Sequence, residues 1–216
     1  MAAMPPNPTI YHITHLDNLA AIAASGGLVS DAQRIARRLN CSLVGMSTIK
    51  QRRLETIEVS VCPGTKVGEY VPFYFCPRSI MLYILYMGNH DDITYRGGQQ
   101  PILHLEADVD AAIQWADSQS IPWAFTDRNA GTYFVQFYNR REDFHRIDWT
   151  AVAARDFRDA QVKEGKQAEF LTFGTFPWTL IQKIGTINNT VAAQVEEVLS
   201  GCSHQPLIEV ERDWYF

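Results

Sequence analysis

Two side chains at the start of a predicted strand have the types and spacing to stabilise positive charge on a sugar. Glu169 opens the apolar run 170–173, which is typical of a buried strand, and Gln167 stands two residues earlier. Because side chains alternate along a strand, both are expected on the same side. A carboxylate fixed there suits holding a ribose hydroxyl beside a carbon that becomes cationic. This is the chemistry that cleaves the glycosidic bond of NAD.

A basic segment lies far from Glu169 in the sequence. Between Ala32 and Leu54 there is no acid, although the chain has 24 acids against 19 bases and a net charge of -5. Its bases are Arg34, Arg37, Arg38, Lys50, Arg52 and Arg53. Contact with phosphates, of a dinucleotide or of a nucleic-acid backbone, explains this segregation. The alternative is a solvated helix face. The negative net charge argues against a protein that coats nucleic acid through overall basicity.

Length and composition indicate one globular domain over residues 1–216. The chain is 46% hydrophobic and 20% charged, and no apolar run approaches the roughly 20 residues of a membrane helix. The first eight residues lack the features of a signal peptide, so we expect a cytoplasmic protein without a membrane partner. The four cysteines form no Cys-x-x-Cys pair, which favours free thiols and no metal site.

Short strands and helices without strict βαβ alternation predict an α+β domain. Strands are expected at 9–13, 70–75, 101–105, 123–126, 169–173 and 207–211, and helices after Asn18 and near 81–86, 109–118 and 190–200. Residues 132–138 fit either a helix or a strand. The polar stretches 31–68 and 139–166 are expected to be loops, the first with a short helix at 31–39.

Common catalytic motifs are absent from the sequence, including the Walker loop, Gly-x-Gly-x-x-Gly, His-Glu-x-x-His and Gly-x-Ser-x-Gly. The remaining candidates are His, Tyr, Arg and Glu residues near strand ends. Aromatic residues are also numerous in the second half of the chain. We expect most of them in the core and some stacked on splayed bases of single-stranded DNA: Trp123, Phe125, Tyr133, Phe134, Phe137 and Tyr138.

Several motifs, taken in order, resemble the DarT family of toxins, which attach ADP-ribose to bases of single-stranded DNA. The motifs are Tyr11-His12-Ile13-Thr14-His15 with Asn18, Ile49-Lys50 with Arg52-Arg53, the aromatic block 70–75 with Pro77-Arg78-Ser79 and Met81-Leu82-Tyr83, and Gln167-Ala168-Glu169. The resemblance runs from about Tyr11 to Trp178. The aromatic block and the residues after it are its most specific part.

The resemblance implies an ADP-ribosyltransferase-like split mixed β-sheet with flanking helices and NAD in the central cleft. NAD would be consumed as the ADP-ribose donor, without a metal. The acceptor would be thymine or guanine of single-stranded DNA, in a sequence-dependent manner. The chain would be a toxin whose partner is DarG, a macrodomain antitoxin. Segment 31–68 would be a substrate and NAD loop, and 139–166 an acceptor-recognition loop.

The family pattern also implies roles for individual residues. Glu169 and Arg53 would be catalytic, with Arg53 stabilising the anion of the acceptor base or clamping the NAD pyrophosphate. The NAD site would include His12, Thr14, Asn18, Tyr70, Phe73, Ser79 and Tyr83. DNA would be contacted by Lys50, Arg52, Arg78 and Gln167. A glutamine at 167, where arginine-modifying transferases have glutamate, favours a neutral acceptor.

Two other interpretations remain open from the sequence. An NAD-dependent RNA or tRNA 2'-phosphotransferase would use a related fold and dedicate basic residues to an RNA phosphate. A non-catalytic single-strand-binding module would use the basic segment and the aromatic residues without NAD.

Overall fold

A split sheet organises the computed structural model, which describes residues 4–216. Within that range the main sheet has eight strands in the order β10-β9-β4-β1-β3-β7-β5-β6, and β2 pairs with β8 in a small second sheet. The strands are β1 (Thr9–His15), β2 (Gly27–Val29), β3 (Tyr70–Tyr74), β4 (Ile102–Asp108), β5 (Trp123–Thr126), β6 (Phe137–Tyr138), β7 (Glu169–Phe173), β8 (Thr175–Pro177), β9 (Lys183–Thr186) and β10 (Leu207–Val210). The pairing of β9 with β10 is parallel, which makes the sheet mixed.

Helices flank this sheet, and most begin at a side chain that accepts a backbone N–H of the first turn. They are α1 (Leu19–Ala24), α2 (Asp31–Ala36), α3 (Ser47–Glu55), α4 (Ile80–Met87), α5 (Val109–Ser118), α6 (Trp149–Ala153), α7 (Ala160–Gly165) and α8 (Asn189–Leu199). Ser30 caps α2, Asp108 caps α5 and Asn188 caps α8 in this way. The sequence therefore fixes these helix starts locally. No helix in the described part of the chain is long and apolar enough to cross a membrane.

The sheet opens between β1 and β3. Among the described residues, these strands share one register pair, Tyr11 with Tyr74, whereas β1 and β4 pair along seven positions from Thr9 to His15. Tyr74 also lies opposite Glu169 on β7. The divergence of β1 from β3 beyond Tyr74 therefore creates a cleft, and the start of β7 lies at its inner end.

The largest hydrophobic cluster holds the two halves of the sheet together. It combines Leu103 and Leu105 of β4, Phe73 of β3 and Phe170 of β7 with Phe176, and all are fully buried. Complete burial of one such side chain stabilises the fold by roughly 1.5–3 kcal/mol. This cluster fixes the positions of the strands that border the cleft.

The predicted α+β class and most predicted strands and helices are confirmed, and two predicted loops are wrong. Segment 31–68 contains α3, whose polar sequence, with few apolar residues, gave no amphipathic signal. Glycine at position 68 allows α3 to pack this closely, because a Cβ there would lie 2.8 Å from the backbone of Leu54. Segment 139–166 contains α6 and α7, and Phe144 and Trp149 anchor it in the core.

Candidate active site

The cleft between β1 and β3 encloses about 330 Å³, within the range of small-molecule sites. His12 and Thr14 line it from β1, Pro72 and Tyr74 from β3, and Lys50 and Arg53 from α3. Asn129 and Gln167 complete its inner end. Polar groups from five separate segments of the chain thus converge on one cavity.

Glu169 and Arg53 form a buried ion pair at this inner end. The Glu169 side chain is 1% exposed and that of Arg53 is 15% exposed, and one guanidinium nitrogen donates to both carboxylate oxygens. Burial alone would lower the pKa of Arg53, but the Glu169 carboxylate outweighs it and raises that pKa. Arg53 lines the cleft and Glu169 lies directly behind it. The two predicted catalytic residues are therefore together.

Two further hydrogen bonds hold Glu169, one at its carboxylate and one at its backbone N–H. The Ala130 N–H donates to Oε1 over 2.9 Å. The buried Thr126 hydroxyl accepts the Glu169 N–H over 3.1 Å and donates to the Arg128 carbonyl over 2.6 Å. The turn after β5 is consequently tied to the start of β7 on both sides of the acid.

Gln167 reaches the cleft beside this turn. Its Oε1 accepts from Asn129 Nδ2 over 3.3 Å, and Asn129 Oδ1 accepts the Gly131 N–H over 2.7 Å. Gln167 lies in the turn before β7 and lines the cleft, whereas Glu169 begins the strand behind Arg53, so strand alternation does not relate the two side chains. The glutamine is held by a neutral amide contact, which keeps this part of the cleft uncharged.

Three predicted NAD-contacting residues line the outer part of the cleft. His12 Nδ1 donates to the Pro72 carbonyl over 2.8 Å, and burial lowers the pKa of His12, so the ring is neutral. Thr14 accepts from Asn18 Nδ2 over 3.2 Å. Asn18 also contacts the Ser42 backbone through its Oδ1 and Nδ2, at 2.7 and 3.0 Å. The Asn18 amide therefore fastens the segment around Ser42 over the cleft.

A half-buried acid, Asp31, organises the basic residues at the opposite side of the cleft. Asp31 Oδ1 accepts from Lys50 Nζ over 3.0 Å and from Arg34 Nε over 3.3 Å. Burial would raise the pKa of Asp31, but these two cations outweigh it and lower that pKa. Three charged groups at one site leave a net positive charge beside the cavity, which favours a phosphate.

Four residues predicted to belong to the NAD site lie outside the cleft. Tyr70 is buried in a separate apolar cluster and contacts the Thr65 hydroxyl, and Phe73 is in the main core. Ser79 is fully buried as the N-cap of α4, where it accepts the Leu82 N–H. Tyr83 packs edge-on against Phe157. Tyr70 and Phe73 are also three positions apart on one strand, so they face opposite sides.

Two residues predicted to contact DNA likewise do not line the cleft. Arg52 donates to the Gly131 carbonyl over 2.8 Å, and its guanidinium lies 4.5 Å from the ring centre of Tyr133. Arg78 donates to the Tyr215 carbonyl and lies over the Phe216 ring. Arg52 thus belongs to the rim near Glu169, whereas Arg78 braces the last residues of the chain.

Sequence reasoning did not single out Tyr74 and Asn129. Strand alternation could have identified Tyr74, because it shares a face with Pro72 and not with Phe73. Burial and the Glu169 carboxylate raise the pKa of Tyr74, which keeps its hydroxyl protonated. Asn129 gave only a turn signal. In residues 4–216 no three His, Cys, Asp or Glu side chains are grouped to hold a metal ion.

A family model described as "DarT: ssDNA thymidine ADP-ribosyltransferase, DarT" matches residues 11–216. The chain belongs to the DarT family. A DNA ADP-ribosyl transferase of Thermus aquaticus is 44% identical over 98% of this chain and 90% of the relative. This membership confirms the resemblance recognised in the sequence, and with it DNA ADP-ribosyltransferase activity.

Solved DarT structures confirm the fold and the donor. Thermus sp. 2.9 DarT in complex with ADP-ribosylated single-stranded DNA superposes with a TM-score of 0.90, at 35% identity, over 100% of this chain and 99% of that one. The same protein in complex with NAD+ gives a TM-score of 0.86 at 33% identity over 99% and 100%. The split sheet, NAD as ADP-ribose donor and single-stranded DNA as partner are therefore confirmed for DarT proteins.

A fused relative supports the predicted antitoxin. The DNA ADP-ribosyl transferase-DNA ADP-ribosyl glycohydrolase fusion protein of Thermosipho africanus is 26% identical over 62% of this chain and 30% of that protein. In that relative the transferase and the glycohydrolase are parts of one protein, which supports a DarG-type partner.

Proposed function

We propose that this chain transfers ADP-ribose from NAD to thymine in single-stranded DNA, with Glu169 and Arg53 as the catalytic pair. The observation that carries the proposal is the buried contact between these residues at the inner end of the cleft. The family description, which specifies thymidine, favours thymine over guanine. His12, Thr14 and Asn18 would border the NAD ribose, and Lys50 with Arg34 would face a phosphate.

The arrangement suits both bonds of the transfer. Breaking the bond between nicotinamide and ribose leaves positive charge on the ribose carbon, and the negative charge of the fixed Glu169 carboxylate would stabilise it. In a thymine nucleotide the ring nitrogen that still carries a proton is N3. As that proton leaves to solvent, Arg53 would stabilise the anionic base, which becomes neutral again when N3 bonds to the ribose carbon. Nicotinamide, the modified DNA and one proton are the products.

Segments 31–68 and 139–166 would have different roles in this reaction. The first supplies α3 and the Asp31 cluster, so it would contact NAD and the acceptor. The second places α7 immediately before Gln167 and would position the DNA. We further propose that the chain acts in the cytoplasm as the toxin of a pair, with a DarG-type macrodomain protein reversing the modification.

A mass-spectrometric assay tests the proposal. The protein is incubated with NAD and short oligonucleotides, of DNA and of RNA, each with one thymine or uracil or with none. We expect an ADP-ribose adduct on thymine-containing single-stranded DNA and an equal amount of released nicotinamide. Adducts on RNA alone would favour the RNA-modifying alternative. DNA binding without nicotinamide release would favour the non-catalytic module.

A further inference from the structure

The structure separates the six aromatic residues considered above into a buried group and an exposed pair. Trp123, Phe125 and Phe137 are buried, and Tyr138 stacks on Phe125. Tyr133 and Phe134, in contrast, are 84% and 82% exposed. Large aromatic side chains are seldom left so open to water, because each has a large apolar area to bury. The two adjacent rings form what we call the 133–134 pair.

The 133–134 pair extends from the same turn that holds the catalytic acid. Ala130, three residues before Tyr133, donates its N–H to Glu169 Oε1 over 2.9 Å. Arg52 donates to the Gly131 carbonyl over 2.8 Å, which fixes the turn to α3. Three residues of chain span at most about 11 Å. A strand whose acceptor base is at Glu169 therefore has its neighbouring nucleotides within reach of these rings.

Charge at the pair fits a nucleic acid. The Arg52 guanidinium lies 4.5 Å from the centre of the Tyr133 ring, so a cation and an open aromatic face adjoin. Lys50 and Arg53 are on the same helix as Arg52. Asp127, the acid of this turn, is paired with Arg128 over 3.3 Å. Positive charge next to exposed rings matches phosphates that alternate with stacking bases.

We propose that Tyr133 and Phe134, with Arg52, form a stacking platform for a nucleotide that flanks the acceptor base. The inference rests on the proposed function and assigns it a DNA subsite outside the cleft. A base stacks on the open ring faces while Arg52 contacts the adjoining phosphate. Bases in a duplex are already stacked on each other, so the platform selects single strands.

Kinetics with single ring deletions test the platform. Tyr133→Ala and Phe134→Ala are assayed at saturating NAD with a one-thymine oligonucleotide of about ten nucleotides, a length within the range of single-strand sites. We expect the KM for DNA to rise at least about fivefold for each variant, the lower limit for loss of one stacked base. NAD affinity by titration calorimetry should not change. Tyr133→Trp and Phe134→Trp should restore the KM.

A matched control and a shortened substrate make the test specific. Leu207→Ala removes another exposed apolar side chain, 58% exposed on β10, and should leave the KM for DNA unchanged. Thymidine monophosphate has no flanking base, so wild type and variants should modify it equally slowly.

Distinct outcomes would overturn the platform. Equal KM values for wild type and both alanine variants, with DNA still modified by the wild type, would refute it and leave the proposed function intact. Absence of DNA modification by the wild type would refute the function itself. Unchanged DNA kinetics with weakened binding of a DarG-type glycohydrolase would assign the pair to a protein partner.

Discussion

Glu169→Gln removes the charge of the proposed catalytic acid while keeping its volume. One amide oxygen remains to accept the Ala130 N–H, so that contact over 2.9 Å survives. The charge that would balance a cationic ribose carbon is lost. We expect kcat for DNA modification to fall about 100- to 1000-fold, the usual effect of removing one preorganised electrostatic group, or roughly 3–4 kcal/mol.

The same substitution leaves Arg53 without its ion-pair partner. Because the Arg53 side chain is only 15% exposed, its charge would be poorly solvated. Breaking a buried pair by removing one partner costs roughly 3–5 kcal/mol of unfolding free energy. Because the glutamine oxygen can still accept a hydrogen bond, we expect Glu169→Gln to lose about 3 kcal/mol or less. Stability and catalysis must therefore be measured separately, by chemical denaturation and by kcat at saturating NAD and DNA.

Glu209→Gln is the control for this experiment. Glu209 is an exposed acid on β10, away from the cleft, and one of three acids around Lys183, which it contacts over 3.3 Å. Its loss should cost at most about 1 kcal/mol and leave kcat unchanged. A Glu169→Gln protein that is folded and retains wild-type kcat would refute the catalytic role. A fall in kcat that only follows the unfolded fraction would show a structural role instead.

Three further predictions concern Thr126, His104 and Gly27. Thr126→Val leaves the Glu169 N–H without its acceptor and should change kcat, which falls, more than it changes the KM for NAD. Thr126→Ser should recover kcat. A valine variant with the wild-type kcat would contradict this. Burial lowers the pKa of His104 from 6.5 to about 4, so the unfolded chain binds the extra proton between these values. The free energy of unfolding should therefore be highest above pH 6.5 and fall by about 3 kcal/mol as the pH drops to 4. Urea unfolding should find this pH dependence in the wild type and not in His104→Gln. Gly27→Ala should destabilise the protein more than Gly26→Ala, because a Cβ at position 27 would lie 2.0 Å from the Phe176 carbonyl oxygen. At Gly26 nothing lies within 4 Å, and only the positive φ costs about 1–2 kcal/mol. Equal melting temperatures of the two variants would contradict this.

The sequence determined the family and the reaction class, and it singled out the acid that we propose for catalysis. These inferences depend on short motifs, and a motif keeps its residues adjacent whatever the rest of the chain does. The strand that begins at Glu169 was also predictable, because its run of apolar residues is a local signal. Helix starts such as Ser30 and Asp108 follow from local capping.

Tertiary structure decided which residues meet at the cleft. Arg53 and Glu169 are 116 residues apart, and their contact depends on how α3 packs and on the register that places Tyr74 opposite Glu169. Register and packing are set by the summed burial of many side chains, which no single motif encodes. For this reason Phe73 and Tyr70 were assigned to the site although they are in apolar clusters, while Tyr74 and Asn129 were overlooked.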